Sequence, residues 1–273
     1  MEPLVAEKRF EGSGAQGPLR SRVVAITAGI AVLLAAIAGG VFWMRSRAPQ
    51  PAPPPAAVQP QPSQAAPQAP AHPVESAEPA LPADPHAADA ALFDEMARLA
   101  GAPGLSKWIR PADLARHIVA TVDALPRRQV PPAVLPTMPI PGSFLVAPAS
   151  GGHVMAAANA RRYLPWVHLL LSVDPSAAAG AYRHFLPLFE RAYRELGYPG
   201  GDFNKRLVEA IDDALEAPQP ALPPRLLQPS VMWVYEDQEL ETLSAGQKIL
   251  LRIGPESGSA VRKWLQAFRA RIA

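Results

Sequence analysis

Ten polar side chains stand on otherwise apolar segments in the C-terminal half of this sequence, and their chemistry suits a binding or catalytic site. They are Arg161, Tyr163, Tyr182, Tyr193, Asn204, Arg206, Asp212, Gln247, Lys248 and Arg252. Guanidinium groups bind carboxylates and phosphates through paired hydrogen bonds, and tyrosine rings pack on sugars. One hypothesis is therefore a pocket for an anionic or sugar-like ligand. The other, which we favour, is a buried polar network that fixes how the helices dock.

Sequence motifs of several common enzyme classes are missing from the chain. No Gly-x-Ser-x-Gly segment occurs, and the segment at 246–249 lacks the flanking residues of a phosphate-binding loop. The six His residues stand singly, and Cys is absent, so neither a zinc-binding pair nor a thiolate nucleophile is indicated. The sequence thus predicts no catalytic, metal-binding or cofactor-binding residue. A hydrolase-type enzyme that uses the Tyr/Arg/Asp set remains the alternative.

Two amphipathic helices joined by a Gly/Pro turn form the predicted centre of the fold. Asp174-Pro175 is typical of a helix start, because Asp accepts hydrogen bonds from free amides and Pro loses no needed donor there. Apolar residues then recur at steps of three and four up to Gly197. Asp202 begins a second helix of this kind, which ends before Pro218. The short connection makes the two helices antiparallel neighbours.

The same patterns predict the remaining elements of the folded region. Helices are expected at residues 89–100, 111–125, 153–171, 237–253 and 259–272, and strands at 144–147 and 230–235. These two strands are candidates to pair with each other. The predicted fold class is therefore mainly α, with at most a minor two-stranded β element, in a helical domain over residues 89–273.

The N-terminal part of the chain predicts a membrane anchor. Residues 23–44 form an uncharged apolar run, which as a helix spans about 30 Å, the thickness of a hydrocarbon core. Lys and Arg are more numerous before this run than directly after it, which places residues 1–22 in the cytoplasm. We therefore expect a single-pass protein of a bacterial inner membrane with a periplasmic C-terminal domain. A cleaved signal peptide is the alternative.

Residues 45–88 are rich in Pro, Ala and Gln, and this composition cannot bury a core. We expect a disordered linker there, which tethers the domain to the membrane. The net charge of the chain is +2, too balanced to indicate a nucleic-acid partner. The expected partners are therefore the membrane itself and an envelope protein or cell-wall component. The favoured function is a non-enzymatic interaction or scaffolding module.

Five segments of the folded region form a recognisable pattern. They are residues 121–127 (Thr-Val-Asp-Ala-Leu-Pro-Arg), 159–165 (Asn-Ala-Arg-Arg-Tyr-Leu-Pro), 187–199, 203–207 and 243–254. Together they resemble the DUF3014 family, a proteobacterial domain of unknown function, over roughly residues 90–272. The resemblance implies an N-terminal membrane segment and a low-complexity linker, but no activity. The chain departs from the pattern at Ala124, where Asn is expected, and at Asp213, where His is expected.

Overall fold

A computed structural model describes residues 81–273 of the chain. The predicted tail at 1–22, the predicted membrane span at 23–44 and most of the predicted linker at 45–88 lie outside the described residues. Between residues 81 and 273, no helix combines the length and the apolar content needed to cross a bilayer.

The described residues form eight α-helices and one small sheet. The helices are α1 (Pro85–Leu99), α2 (Leu114–Ala124), α3 (Ala158–Leu171), α4 (Pro175–Glu195), α5 (Phe203–Leu215), α6 (Gln238–Thr242), α7 (Ala245–Arg252) and α8 (Pro255–Ile272). The strands are β1 (Val146–Ala149), β2 (Gly152–Met155), β3 (Arg225–Leu227) and β4 (Val234–Tyr235). The prediction of a mainly α fold is confirmed for this part of the chain.

Helix α4 lies at the centre of the hydrophobic core, where it packs against α2, α5 and α8. Its start is as predicted, because the Asp174 carboxylate accepts hydrogen bonds from the amides of Ser176 and Ala177. Its buried face carries Tyr182, Phe185 and Phe189, among others. Burial of each such aromatic side chain contributes about 2–3 kcal/mol to folding. The predicted hairpin of α4 and α5 is therefore the framework on which the other helices pack.

Helix α1 is fixed to α2 through the side chain of Asp89. The helix predicted at 89–100 begins earlier, at Pro85, and Asp84 caps it. The Asp89 carboxylate instead accepts hydrogen bonds from the amides of Leu114 (3.1 Å) and Ala115 (2.9 Å) at the start of α2. Asp113, the residue before α2, has a left-handed φ of 51° and makes no side-chain cap. Asp89 therefore satisfies amides that α2 cannot satisfy locally.

The sheet corrects the prediction of at most a two-stranded β element. Its four antiparallel strands lie in the order β1-β2-β3-β4, with Val146 opposite Met155 and Leu226 opposite both His153 and Tyr235. The proposed pairing of residues 144–147 with 230–235 is also wrong, because β1 and β4 lie at opposite edges. Each strand has only two to four residues, too few to show a clear alternation of apolar and polar positions.

Two predicted helices have different boundaries in the structure. The first part of the predicted helix at 153–171 is strand β2, and the helix begins only at Ala158. The predicted helix at 237–253 is two helices, α6 and α7, because Ser244 starts a new one. Its hydroxyl accepts a hydrogen bond from the Gln247 amide, while the Gln247 side chain accepts one from the Ser244 amide. This capping box starts a new helix, so the single helix that the apolar spacing predicts is divided in two.

We expect Asp89→Ala to lower the free energy of unfolding by about 1–2 kcal/mol, since the variant leaves two amides at the start of α2 without an acceptor. Urea denaturation of the full-length protein, followed by tryptophan fluorescence, measures the change. Asp94→Ala removes the same charge from an exposed position on α1 and is the matched control. Equal stability of the two variants would contradict the assigned role of Asp89.

Candidate functional site

The ten polar residues singled out in the sequence are distributed over four helices. Arg161 and Tyr163 lie on α3, Tyr182 and Tyr193 on α4, Asn204, Arg206 and Asp212 on α5, and Gln247, Lys248 and Arg252 on α7. The structure joins Tyr182 directly to Asn204 and connects others to residues outside the set. Whether any of them contacts a ligand stays a prediction.

The largest polar cluster is centred on Asp123 near the C-terminal end of α2, and we call it the Asp123 junction. It comprises Asp123, Arg127, Tyr198 and Arg206. Arg206 donates from Nε to Asp123 Oδ1 at 3.0 Å and from Nη2 to the Asp123 carbonyl at 2.6 Å. Arg127 and the Tyr198 hydroxyl both donate to Oδ2, the latter at 3.3 Å. The junction thereby joins α2, α5 and the turn between α4 and α5.

The ion pair between Asp123 and Arg206 contributes to the stability of the fold because both side chains are largely buried. The Asp123 side chain is 8% exposed and that of Arg206 is 22% exposed. A buried carboxylate is expensive to desolvate, and the two arginines and the hydroxyl compensate that cost. Tyr193 packs beside the junction with its ring stacked on Tyr198, 4.6 Å between centroids. Burial raises the pKa of Tyr193 to about 12, and the nearby Asp123 charge adds to the increase.

Tyr182 and Asn204 are one predicted pair that the structure does bring together. The Tyr182 hydroxyl donates to Asn204 Oδ1 at 2.9 Å, and Asn204 Nδ2 donates to the Ile272 carbonyl at 2.9 Å. Both side chains are buried, and burial raises the pKa of Tyr182 well above its usual value. This chain of hydrogen bonds ties α4 and α5 to the last turn of α8.

Gln247 belongs to a second polar cluster, together with Ser244 and Asp213. The Ser244 hydroxyl donates to Asp213 Oδ2 at 2.6 Å, and Gln247 Nε2 donates to the Asp213 carbonyl at 3.0 Å. Burial raises the pKa of Asp213, and the Ser244 hydrogen bond partly opposes that shift. Asp213 is the position where the resemblance led us to expect His, and here it holds α7 against α5.

The charges of Asp212 and Lys248 are paired separately. Asp212 makes a bidentate ion pair with Arg269, and both side chains are partly exposed. Lys248 Nζ donates to the Glu241 carbonyl at 2.6 Å and lies 3.4 Å from its carboxylate. Burial lowers the pKa of Lys248, and the Glu241 charge opposes the shift. These pairs connect α5 to α8 and α6 to α7.

The other three predicted residues lie apart from the Asp123 junction. Arg161 is exposed, and Tyr163 is buried with 2% exposure. The positive charge of Arg252 counters part of the rise that burial causes in the pKa of Tyr235. The Nη1 atom of Arg252 is buried and has no hydrogen-bond partner among the described residues. No group of three or more His, Asp or Glu residues suited to a metal ion occurs within residues 81–273.

Sequence reasoning missed Asp123, Arg127 and Tyr198 as members of a polar cluster. A signal for one contact was present, because Asp123 and Arg127 have the i,i+4 spacing of a helical ion pair. No local signal connects Asp123 with Arg206, since the two residues are 83 positions apart in sequence.

Fold and site together define a mainly α-helical domain with a small antiparallel sheet, held together by buried polar clusters. Comparison with known protein families then shows which family the chain belongs to. The chain belongs to the DUF3014 family, described as a protein of unknown function, whose model matches residues 114–269. This confirms the resemblance noted in the sequence. No curated protein and no solved structure matches the chain.

We expect Asp123→Ala to lower the free energy of unfolding by about 3 kcal/mol, because it leaves the mostly buried Arg206 charge without its carboxylate. Asp212→Ala breaks the more exposed pair with Arg269 and is expected to cost under about 1 kcal/mol. Chemical denaturation of both full-length variants checks the difference. Similar decreases in the free energy of unfolding would show that the Asp123 junction stabilises the fold no more than an exposed ion pair does.

Proposed function

We propose that this protein is a membrane-anchored interaction module of the bacterial envelope. The apolar run at residues 23–44 is the anchor, residues 1–22 are cytoplasmic, and the helical domain faces the periplasm beyond the Pro/Ala/Gln-rich linker. A tether of this kind raises the local concentration of the domain near partners in the envelope. The uncharged run and the excess of basic residues before it support this topology.

The observation that carries the interaction role is the exposed edge of the Asp123 junction. Tyr198 is 37% exposed, yet its ring is stacked on buried Tyr193 and its hydroxyl is held by Asp123. Arg127 lies beside it, with 57% of its side chain exposed and Nη2 3.4 Å from the Tyr198 hydroxyl. Tyr and Arg are enriched at binding hot spots, and side chains that are already ordered lose less entropy on binding.

The alternative function is a hydrolase-type enzyme, and the pair that favours it is Ser244 with Asp213. A hydroxyl that donates to a carboxylate of raised pKa resembles a nucleophile with its base. The Ser244 oxygen, however, also accepts the Gln247 amide as a helix cap, and the residue is 7% exposed. Since Asp123 and Asp212 are neutralised by arginines, the polar groups support a structural use better than a catalytic one.

The absence of cysteine allows a direct test of the topology. We expect Ser230→Cys, at an exposed loop position, to react with a membrane-impermeant maleimide in cells whose outer membrane is permeabilised. Ser13→Cys, in the N-terminal tail, should react only after the inner membrane is lysed. Labelling of both positions, or of Ser13→Cys alone, before lysis would contradict the topology.

The interaction surface can be tested by photo-crosslinking in cells with the full-length protein. A photoreactive residue in place of Arg128, next to Arg127, should form a discrete crosslink with an envelope protein. Tyr198→Ala should reduce this crosslink about tenfold or more, because it removes the ordered ring. The matched control is the same photoreactive residue at Leu171, an exposed apolar position at the end of α3.

A loss of crosslinking in Tyr198→Ala reports on binding only if this variant folds. Its thermal unfolding is therefore compared with that of the protein without the Tyr198→Ala substitution. Tyr198→Phe keeps the ring and loses the hydroxyl, and it should retain most of the crosslink. Equal crosslinks with and without Tyr198→Ala, or crosslinks of equal yield at Arg128 and Leu171, would contradict the proposed surface.

A further inference from the structure

A cavity of about 380 Å³ lies at the C-terminal end of α7, and none of the Asp123 junction residues lines it. We call it the arginine cavity. One wall is the proline-rich loop at residues 218–224, and the others are the start of α3, the end of α7 and the first turns of α8. The volume is within the range of small-molecule binding sites.

Among the described residues that line this cavity, the charged ones are Arg252 and Arg262. Neither makes an ion pair with a carboxylate of the described chain, unlike Arg206 and Arg269. Two guanidinium groups thus give the cavity a positive charge that its own lining does not neutralise. Both side chains are partly exposed, and an anion in the cavity would meet two guanidinium groups and no carboxylate.

Arg262 is held rigidly at the cavity wall. Its Nη1 donates to the carbonyl of Leu215, the last residue of α5, at 2.7 Å, and its Nη2 to the Ala217 carbonyl at 2.6 Å. These carbonyls satisfy two donors but carry no formal charge. The Nε atom is buried without a hydrogen-bond partner in the described chain, and burial lowers the pKa of the group. The two hydrogen bonds to backbone carbonyls therefore order the side chain at the cavity wall. The buried Nε atom is closed to a ligand in the cavity.

Arg252 contributes a second positive charge from the end of α7, on another wall of the cavity. Its Nη1 atom is buried without a hydrogen-bond partner in the described region and is closed to a ligand. The two arginines therefore favour an anionic ligand through their positive charge.

The backbone at the cavity adds positive potential of the same sign. Ala157 precedes α3 and Gly254 precedes α8, and neither offers a side chain that caps the helix. Both residues line the cavity. Gly254 has a φ of 83°, and a Cβ there would come within 3.1 Å of Ala160. At the start of α3, the amides of Asn159 and Ala160 donate to the carbonyls of Ala156 and Ala157, so the helix dipole is what favours an anion there.

The remaining walls are mostly apolar. Met155, Leu222 and Leu250 line the cavity together with the prolines of the 218–224 loop. Inorganic anions gain nothing from such walls, whereas an anion that carries an apolar group buries that group against them. The cavity thus combines a cationic region with an apolar one.

We propose that the arginine cavity binds a small organic anion, in which a carboxylate or phosphate group is attached to an apolar body. Arg252 and Arg262 contact the anionic group, and the proline-rich wall contacts the apolar body. This ligand site goes beyond the proposed partner surface at Tyr198 and involves none of its residues. Free amphiphilic metabolites and membrane lipids share this chemistry as sources of the ligand.

The test is isothermal titration calorimetry with the full-length protein in nanodiscs of zwitterionic lipid. The probes are hexanoate and hexyl phosphate, with hexanamide as the neutral analogue. We expect at least one of the two anions to bind and hexanamide to bind at least about tenfold more weakly. Arg252→Gln should weaken anion binding about tenfold or more, because it removes a charged donor. Arg161→Gln, which removes the same charge from an exposed site on α3, should leave it within about twofold.

A second variant covers the case in which Arg252→Gln unfolds. Ala157→Asp places a carboxylate at the start of α3, where the helix dipole favours it, so the fold should be retained while anion binding is lost. Binding of both anions that is unchanged in Ala157→Asp, or equal binding of hexanamide, would overturn the proposal. So would a loss in Arg161→Gln as large as in Arg252→Gln, since that indicates non-specific charge attraction.

Titrations in nanodiscs that contain an anionic lipid distinguish a membrane lipid from a free metabolite as the source of the ligand. If nanodiscs that contain phosphatidylglycerol reduce hexyl phosphate binding in the parent, an anionic lipid occupies the same cavity, in support of the proposal. If the lipid leaves the soluble anions bound as before, a free molecule is the supported source. Association with anionic vesicles that persists in Arg252→Gln, with no binding of either soluble anion, would indicate surface adsorption and refute the cavity as a site.

Discussion

The buried carboxylate of Asp123 is the constraint on which the arrangement of the helical domain depends. It accepts hydrogen bonds from Arg127, Arg206 and Tyr198, which belong to three different parts of the chain. Once this carboxylate is buried, each partner must stay in place, because an uncompensated charge in the interior costs several kcal/mol. The helical hairpin of α4 and α5 is thereby held in one orientation against α2, and the aromatic core between them packs in a single way.

Polar side chains in this domain serve two different purposes. At the Asp123 junction and around Asp213, carboxylates, arginines and hydroxyls satisfy one another and join neighbouring helices. At the arginine cavity, Arg252 and Arg262 are partly exposed and make no ion pair with a carboxylate of the described chain. This contrast separates the structural networks from the cavity that we propose as a ligand site. Arg252 was among the residues singled out in the sequence, whereas Arg262 was not.

The sequence predicted the helical framework well because helices are specified by neighbours along the chain. Asp174, Pro175 and Gly197 delimit α4 by local chemistry, and the apolar repeat identifies its buried face. The sheet was underestimated for the opposite reason. Strand β3 lies inside a segment that reads as a proline-rich link, and its pairing with β2 depends on residues about seventy positions away. Pairing partners of such short strands are chosen by the tertiary fold.

By itself, the sequence determined the family, the helical class of the domain and the set of polar residues that stand on apolar faces. Only the tertiary structure decided which of these residues meet. Helix spacing places residues on a face but carries no information about contacts between positions as far apart as Asp123 and Arg206. The same limit concealed the arginine cavity, whose walls come from α3, α7, α8 and a distant loop. Such sites form when separate elements pack, because burial, rather than local pattern, selects the contacts that compensate each charge.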